Sequence, residues 1–284
     1  KLPDALEERI EAIVLDKVAE PLYLTGGDIG KVTYKTGAVK DYVDHLKSTV
    51  PFSLNGLKVA VDCAHGSASA TAPRLFEELG ADCHILFDEP DGLNINSACG
   101  STHMEALRAY VLDHKLDAGV AFDGDADRCL AVDHEGTIVD GDQIMAIMAI
   151  DMKERGELKD NTLVATVMSN LGLKLAMEAA GITVKQTGVG DRYVLEGMQE
   201  GDYSLGGEQS GHVIFSKYAT TGDGVLTGLN IAARVKATGK SLKELASVLT
   251  VLPQVLINVR GVDKAAVPDC EPLQLDIEAA EARL

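Results

Sequence analysis

Three aspartates close together in the sequence are the residues best suited to chemistry. Asp123, Asp125 and Asp127 follow an apolar run with the pattern of a β-strand, and Arg128 comes directly after them. Carboxylates that converge to about 4 Å repel each other by roughly 4 kcal/mol per pair at an effective dielectric constant of ~20, and one arginine does not offset all of that cost. A bound Mg²⁺ ion does. The spacing therefore predicts a site for a hard divalent cation.

The chain must curl for all three carboxylates to reach one ion. Side chains at alternate positions of a strand lie about 7 Å apart on one face, whereas Mg²⁺ takes its oxygen ligands at ~2.1 Å. Gly124 and Ala126 are small enough to permit this curl. Two other interpretations of the motif stay open at this point. One is an acidic turn between two strands, and the other is a phosphatase of the haloacid dehalogenase type with Asp123 as its nucleophile.

The composition describes an acidic globular protein. The 284 residues carry a net charge of −18 and are 46% hydrophobic, which is enough for about two domains with their own cores. The charge opposes nonspecific binding to nucleic acid or to an anionic membrane surface. The sequence contains no run of 18 apolar residues that would predict a membrane span. A homo-oligomer is compatible with these properties. A reducing cytoplasm is favoured by five scattered cysteines without a CxxC pair: Cys63, Cys83, Cys99, Cys129 and Cys270.

The apolar periodicity predicts an α/β fold. A helix over residues 4–20 ends at Pro21, and a second helix around residues 39–46 follows a polar linker. Strands and helices then alternate, which predicts a parallel sheet covered on both faces. The predicted elements are strand 57–62, helix 70–79, strand 82–87, helix 102–114, strand 117–122 and a short strand pair around Gly136. The aspartates therefore lie at the carboxyl end of a strand, where open α/β sheets place their ligands.

The alternation restarts after Asp140 and predicts a second α/β domain. Its predicted elements are helix 141–155, strand 162–167, helix 170–180, strand 182–186, a helix near 191–200, helices 222–238 and 241–250, and strand 253–260. The segments that begin at residues 57 and 161 both have the pattern strand, polar loop, helix, glycine, strand. This is a weak internal repeat with an offset of about 105 residues.

A second motif, LGGEQSGHVIF at residues 205–215, carries polar side chains on a glycine-rich segment. Glu208 and Ser210 can accept and donate hydrogen bonds where the backbone permits close approach, which suits a polyhydroxylated ligand such as a sugar. Taken alone, the motif is better explained as a glycine-rich hairpin turn that has no ligand.

Three motifs in matching order, DGDADR, GEQSGH and TTGDGVLTGLNIA, resemble the α-D-phosphohexomutase superfamily. Further segments resemble the bacterial branch of that superfamily which interconverts glucosamine 6-phosphate and glucosamine 1-phosphate: VDCAHGSAS, PDGLNINSACGSTH, VDGDQIMAI, VGDRYV and LPQVLINVR. The resemblance implies an isomerase with two consecutive α/β domains of similar topology and partial flanking domains. It also implies a phosphorylated amino sugar as substrate, on the route to UDP-N-acetylglucosamine.

The resemblance assigns a chemical role to the first motif. Asp123, Asp125 and Asp127 would hold one Mg²⁺ per chain, which neutralises charge on a phosphoryl group that moves between the sugar and a phosphoserine. Arg128 would brace the metal loop or the phosphoserine.

The resemblance also implies substrate-binding residues, which are Glu208, Ser210, Arg192 and His212. For His212 a role in orienting the turn, and for Arg192 a place as a surface charge on a helix, are alternatives of equal standing. Proton transfer by Asp191 is a weaker hypothesis. No chemical role is assigned to three polar residues of the PDGLNINSACGSTH segment: Asn94, Asn96 and Ser101.

Two family motifs are missing from these 284 residues, a TASHN-like serine loop and an RPSGTEP-like phosphate loop. The resemblance therefore predicts an internal fragment that is inactive alone. Its predicted parts are the tail of domain one with a linker (1–36), domain two with the metal loop (37–140), domain three with the sugar loop (141–252) and the beginning of domain four (253–284). Without the serine loop, a noncatalytic sugar-binding protein remains an alternative, alongside the phosphatase.

Overall fold

The computed structural model of the chain describes residues 2–16, 18, 23–255, 257 and 259–283. The chain divides into two compact units, residues 1–41 and 42–284. The α-helices are α1 (Asp4–Val14), α2 (Ala38–Ser48), α3 (Ala72–Glu78), α4 (Glu105–His114), α5 (Gly141–Glu154), α6 (Leu171–Ala179), α7 (Asp191–Gly201), α8 (Gly224–Thr238), α9 (Leu242–Ala246) and α10 (Glu271–Glu281). The β-strands are β1 (Lys58–Asp62), β2 (Asp82–Leu86), β3 (Ala118–Phe122), β4 (Cys129–Asp133), β5 (Ile138–Val139), β6 (Thr162–Thr166), β7 (Thr183–Thr187), β8 (Leu205–Gly207) and β9 (Val213–Phe215).

The first unit contains the helix that apolar spacing predicts at the start of the chain. The helix α1 ends at Val14, earlier than expected, and Pro21, the predicted terminator, lies outside the described residues. Its apolar residues Leu6, Ile10 and Ile13 are all exposed. The periodicity thus predicted the helix but not the burial of its apolar face.

The first sheet of the second unit has the strand order β2-β1-β3-β4-β5. The strand β1 pairs in parallel with β2 and β3, whereas β4 is antiparallel to both β3 and β5. The expectation of a wholly parallel sheet is therefore wrong. Only residues 123–128 join β3 to β4, and a parallel crossover needs a dozen residues or more. The short connection forces the chain to turn back directly after the three aspartates.

The second sheet repeats the topology of the first, with the order β7-β6-β8-β9. Here β6 is parallel to β7 and β8, and β9 is antiparallel to β8. The order β2-β1-β3-β4 of the first sheet matches it strand for strand. The internal repeat seen in the sequence is thus a repeat of structure, and the chain contains two consecutive α/β domains of similar topology.

The helix α5 connects the two sheets and is largely buried. It contacts β4 of the first sheet and β8 of the second, as well as α6, α8 and α9. Its first turn is fixed by a capping box, in which the side chain of Asp140 accepts the N–H of Gln143 and the Gln143 side chain accepts the N–H of Asp140. The helix α8 packs on β3 and β4 of the first sheet. The domains therefore share helices across their boundary.

The end of the chain departs from expectation. The strand predicted over residues 253–260 is absent from the described part of that segment, and Leu256 and Asn258 lie outside it. Val255, Ile257 and Val259 are exposed, and an apolar segment becomes a strand only when another strand pairs with it. Within the described ranges, no helix has the length and apolar character needed to cross a membrane.

A buried and an exposed leucine of α4 give a matched test of this packing. Leu107 is fully buried in a core cluster with residues of β1, β3 and β4, whereas Leu112 on the same helix is 47% exposed. We expect Leu107→Ala to lower the free energy of unfolding by about 2–5 kcal/mol. Leu112→Ala should lower it by less than about 1 kcal/mol. Urea denaturation of both variants measures this difference, and equal losses would contradict the described packing of α4.

Candidate functional site

The three aspartates converge in the loop between β3 and β4. Asp123, Asp125 and Asp127 each offer a carboxylate oxygen, and these oxygens lie within 4.8 Å of one another. Asp123 is buried while Asp125 is exposed, so the cluster opens to solvent on one side. Ala126 has a φ of +61°, and this left-handed residue supplies the curl that the sequence requires. Oxygen ligands converging from one short loop are the type of site that binds Mg²⁺.

Arg128 contacts two of the three aspartates of this loop. Its backbone N–H donates to Oδ1 of Asp123 at 3.1 Å. Its Nε lies 3.9 Å from Oδ2 of Asp123 and 3.9 Å from Oδ1 of Asp127. One arginine thus lies against two carboxylates and offsets part of their mutual repulsion.

Burial and neighbouring carboxylates both act on the charge of Asp123. Burial raises the pKa of Asp123 to about 6, and repulsion from Asp127 and Asp125 adds to the shift, against the opposing effect of the Arg128 N–H. A carboxyl group with a raised pKa favours a cation that would replace its proton. The residues present therefore fit a divalent metal.

Backbone hydrogen bonds tie the metal loop to the second domain. The N–H of Gly224, the first residue of α8, donates to the carbonyl oxygen of Ala126 at 2.9 Å, and the N–H of Cys129 donates to the carbonyl oxygen of Gly211 at 3.0 Å. A Cβ atom on Gly224 would lie 2.2 Å from the carbonyl oxygen of Arg128. The close approach of two backbones thus requires glycine at the start of α8.

The GEQSGH motif forms the turn between β8 and β9, so the hairpin interpretation is correct in structure. The N–H of Gly211 donates to the carbonyl oxygen of Glu208 at 3.0 Å and closes the turn. Oε1 of Glu208 accepts the N–H of Gly190 at 3.0 Å. The N–H of Gly141 donates to the carbonyl oxygen of Gln209 at 3.0 Å. The turn is thereby fixed to α5 and to the loop before α7.

His212 lies between this turn and the metal loop. It is 2% exposed and forms an antiparallel bridge with Arg128. Its Nε2 accepts the N–H of Gly222 at 3.2 Å and lies 3.7 Å from Oδ2 of Asp127. This geometry favours the role of orienting the turn over direct contact with a substrate.

The other candidate residues are placed on exposed or helical positions. Ser210 is exposed at the tip of the turn. Arg192 lies in the first turn of α7, where its Nε donates to Oε1 of Glu196 at 2.8 Å. Asp191 begins the same helix. The structure therefore brings Glu208, Ser210 and His212 into one turn beside the metal loop, with Arg192 on a helix that follows a loop bonded to Glu208.

Tyr42 and Asp223 form a contact that the sequence does not reveal. The Tyr42 hydroxyl donates to the Asp223 carboxylate, with oxygen distances of 2.8 and 2.9 Å. Burial and the adjacent carboxylate raise the pKa of Tyr42 well above its usual range. Both residues line a cavity of about 390 Å³ together with Asp125 and Asp127. Asp223 lies inside the TTGDGV motif, which was the only available signal.

A larger cavity, about 650 Å³, lies elsewhere in the second unit. It is lined by residues that precede β1 and β3, including Leu57 and Asp117, whereas the aspartate cluster follows the end of β3. Size therefore does not identify the functional site, and the convergence of carboxylates does.

The chain belongs to the phosphoglucomutase/phosphomannomutase family. Residues 40–136 match the alpha/beta/alpha domain II of that family, and residues 140–251 match its alpha/beta/alpha domain III. The two matches correspond to the two sheets with their helices. The metal loop falls in domain II and the GEQSGH turn in domain III.

Relatives with high similarity are phosphoglucosamine mutases. The chain is 57% identical over 284 residues to the enzyme of Arthrobacter sp. (strain FB24), and 58% identical to that of Paenarthrobacter aurescens (strain TC1). Each match covers 100% of this chain and 62% of the relative. The chain thus spans somewhat under two thirds of the length of these relatives.

Solved structures share the fold. A phosphoglucomutase/phosphomannomutase family protein from Burkholderia thailandensis superposes with a TM-score of 0.73 at 23% identity, covering 90% of this chain and 54% of that protein. Aspergillus fumigatus N-acetylphosphoglucosamine mutase, in complex with GlcNAc-6P and magnesium, has a TM-score of 0.66 at 20% identity and covers 82% of this chain and 53% of its own.

Because Asp123 is buried beside two other carboxylates, removing its charge should stabilise the metal-free protein. In the metal-free chain the pKa of Asp123 is about 6, above its ordinary value of 3.8. The folded state therefore binds a proton that the unfolded state does not, and this stabilisation is lost as the pH rises through about 6. We expect Asp123→Asn to raise the melting temperature by about 2–4 °C at pH 7.5 in the presence of a chelator.

The pH dependence and the metal dependence provide the controls for this measurement. At pH 5 the difference between wild type and Asp123→Asn should shrink, because the wild-type carboxyl group is then largely protonated. Saturating Mg²⁺ should raise the melting temperature of the wild type more than that of the variant. A variant that melts below the wild type at pH 7.5 without metal would contradict charge crowding at this site.

Proposed function

We propose that this chain supplies the metal-binding and sugar-binding domains of a phosphoglucosamine mutase. The reaction is the interconversion of glucosamine 6-phosphate and glucosamine 1-phosphate. The observation that carries the proposal is the junction of two loops: the aspartate cluster of one domain is bonded through its backbone to the GEQSGH turn of the next. Relatives named phosphoglucosamine mutase, 53–58% identical across the chain, support the choice of substrate.

The metal loop stabilises the phosphoryl group that is transferred in this reaction. Asp123, Asp125 and Asp127 hold one Mg²⁺ per chain, which when bound neutralises negative charge on that group. Arg128 keeps the carboxylates in place through its backbone N–H and its guanidinium. The sequence contains no TASHN-like segment, so the proposal assigns no residue of this chain as the phosphoryl carrier.

The turn between β8 and β9 binds the sugar in this reaction. Glu208 and Ser210 hydrogen-bond sugar hydroxyls, and Arg192 binds substrate from the start of α7. His212 takes part by holding the turn against the metal loop, where its Nε2 accepts the Gly222 N–H. The proposed substrate is an anion. On a chain with a net charge of −18 its binding depends on local positive charge, which Arg192 and Mg²⁺ supply.

The cellular compartment and the domain boundaries are also part of this proposal. The described cysteines are free thiols, three of them buried, which supports a reducing cytoplasmic setting. The domain division at residues 36, 140 and 252 remains a prediction of the sequence. Of its three boundaries, the one at residue 140 is supported by the end of β5 at Val139 and the start of α5 at Gly141.

The alternative functions are not favoured. In a haloacid dehalogenase type phosphatase Asp123 would be the nucleophile, but its Oδ1 accepts the N–H of Arg128 and its Oδ2 faces the guanidinium of the same residue. A noncatalytic sugar-binding protein has no use for three crowded carboxylates. Neither alternative explains the similarity to mutases across all 284 residues.

A chimeric enzyme tests the proposal directly. We expect that these 284 residues, replacing the aligned segment of the Arthrobacter phosphoglucosamine mutase, support Mg²⁺-dependent conversion of glucosamine 6-phosphate to glucosamine 1-phosphate. In that chimera Asp125→Asn should lower kcat by about 100-fold or more, because it removes one carboxylate ligand from the Mg²⁺ that stabilises the transferred phosphoryl group. A coupled assay with a trace of the 1,6-bisphosphate measures both.

The matched control is Asp160→Asn, which changes an exposed aspartate of another loop that pairs with Lys159. It should leave kcat within about twofold of the chimera. A folded but inactive chimera would refute the proposed contribution of this chain. Full activity of Asp125→Asn would instead refute the assignment of the metal site alone.

A further inference from the structure

Asp62 is a buried carboxylate with no part in the chemistry proposed above. It is the last residue of β1 and is 0% exposed. Its Oδ1 accepts the N–H of Ala64 at 2.8 Å, and its Oδ2 accepts the N–H of Gly100 at 2.9 Å. Burying a charged group is costly unless its oxygens are hydrogen-bonded. These two bonds therefore fasten the loop after β1 to the loop before α4.

Both loops adopt backbone conformations that need such fixing. Ala64 and His65 have φ values of +55° and +48°, and Asn96 and Ala98 have values of +57° and +53°. Residues with a Cβ atom occupy this left-handed region only when their surroundings hold them there. The N–H of Asn96 also donates to the carbonyl oxygen of Ala64 at 2.9 Å, which joins the two loops a second time.

The same two loops hold the metal loop on either side of Asp123. The N–H of Ser101, next to Gly100, donates to the carbonyl oxygen of Phe122 at 2.8 Å. The N–H of Ser67 donates to the carbonyl oxygen of Gly124 at 2.9 Å. The carbonyl groups of the residues before and after Asp123 are thus each held by a loop that Asp62 fastens.

The contact between these loops and the metal loop is too close for adjustment. A Cβ atom on Gly66 would lie 2.2 Å from the carbonyl oxygen of Gly124, and one on Gly100 would lie 2.6 Å from the carbonyl oxygen of Phe122. Real Cβ atoms do not approach so closely. A displacement of either loop therefore displaces the metal loop.

We propose that Asp62 is a positioning residue for the metal site: by fastening the loops at residues 64–67 and 96–101, it sets the backbone on which Asp123 presents its carboxylate. The inference rests on the proposed function in that it takes the aspartate cluster as a Mg²⁺ site. It also gives a role to the segment of Asn96 and Ser101, for which the sequence offers none.

Asp133 provides a matched control for the general effect of losing a buried carboxylate. It is the last residue of β4, is 2% exposed, and its Oδ1 accepts the N–H groups of Glu135 and Thr137 at 2.9 Å each. Because β4 is antiparallel to β3, Asp133 lies opposite Ala118 at the other end of the sheet from the metal loop. It resembles Asp62 in burial and in accepting two backbone N–H groups, but the turn that it fixes lies at the end of β4 away from the metal loop.

The test is calorimetric titration of Mg²⁺ into the 284-residue chain and its variants at pH 7.5. We expect Asp62→Asn to weaken Mg²⁺ binding by about 10-fold or more, as loss of an outer-shell partner does at other metal sites. Asp133→Ala, which removes the oxygen that accepts both N–H groups of the far turn, should lower the melting temperature but change the Kd by less than about twofold. Asp62→Glu, which keeps the charge and displaces the carboxylate, should also weaken binding.

Each outcome decides between positioning and a competing explanation. Unchanged Mg²⁺ affinity in folded Asp62→Asn overturns the inference, and wild-type affinity in Asp62→Glu shows that charge matters and position does not. A wild-type chain that fails to bind Mg²⁺ refutes the metal assignment itself. Should the Asp62 variants not fold, amide exchange of the wild type decides: Mg²⁺ should slow exchange at Ala64 and Gly100, and unaltered exchange there overturns the inference.

Discussion

The crowding of three carboxylates is the constraint on which the rest of the structure depends. The oxygens of Asp123, Asp125 and Asp127 lie within 4.8 Å of one another, and the pKa of Asp123 is raised by burial first and by repulsion from the other two carboxylates second. Like charges this close drive a free loop apart. The loop keeps its shape because backbone donors from both domains hold it, at Ala126 through α8 and at Gly124 through the loop after β1.

Glycine occurs where the two domains meet because two backbones approach each other closely there. A Cβ atom on Gly141 would lie 2.1 Å from the carbonyl oxygen of Glu208, and one on Gly224 would lie 2.2 Å from that of Arg128. Both glycines begin a helix, so the first turns of α5 and α8 approach the two functional loops through bare backbone. The glycine-rich motifs of the sequence are therefore requirements of packing as much as of ligand binding.

The sequence predicts what depends on local pattern. Spacing and residue type identified the aspartate cluster, and periodicity identified most of the helices and strands of the two domains, but not the short strands β8 and β9. The failures concern partners. The direction of β4 depends on the length of one connection, and the segment 253–260 has the composition of a strand without a strand beside it in the described chain. The bond of Tyr42 to Asp223 joins residues 181 positions apart, a separation that no local pattern encodes.

The structural repeat places the two loops of the candidate site at equivalent positions of the two domains. The metal loop joins the third and fourth strands of the first domain, β3 and β4, and the GEQSGH turn joins the corresponding strands of the second, β8 and β9. The two functional loops are therefore equivalent positions of one topology used twice. They meet where Arg128 and His212 form a backbone bridge. On the proposed function, the tip of one copy binds the cation and the tip of the other binds the sugar, so packing the two copies together at these tips assembles the site.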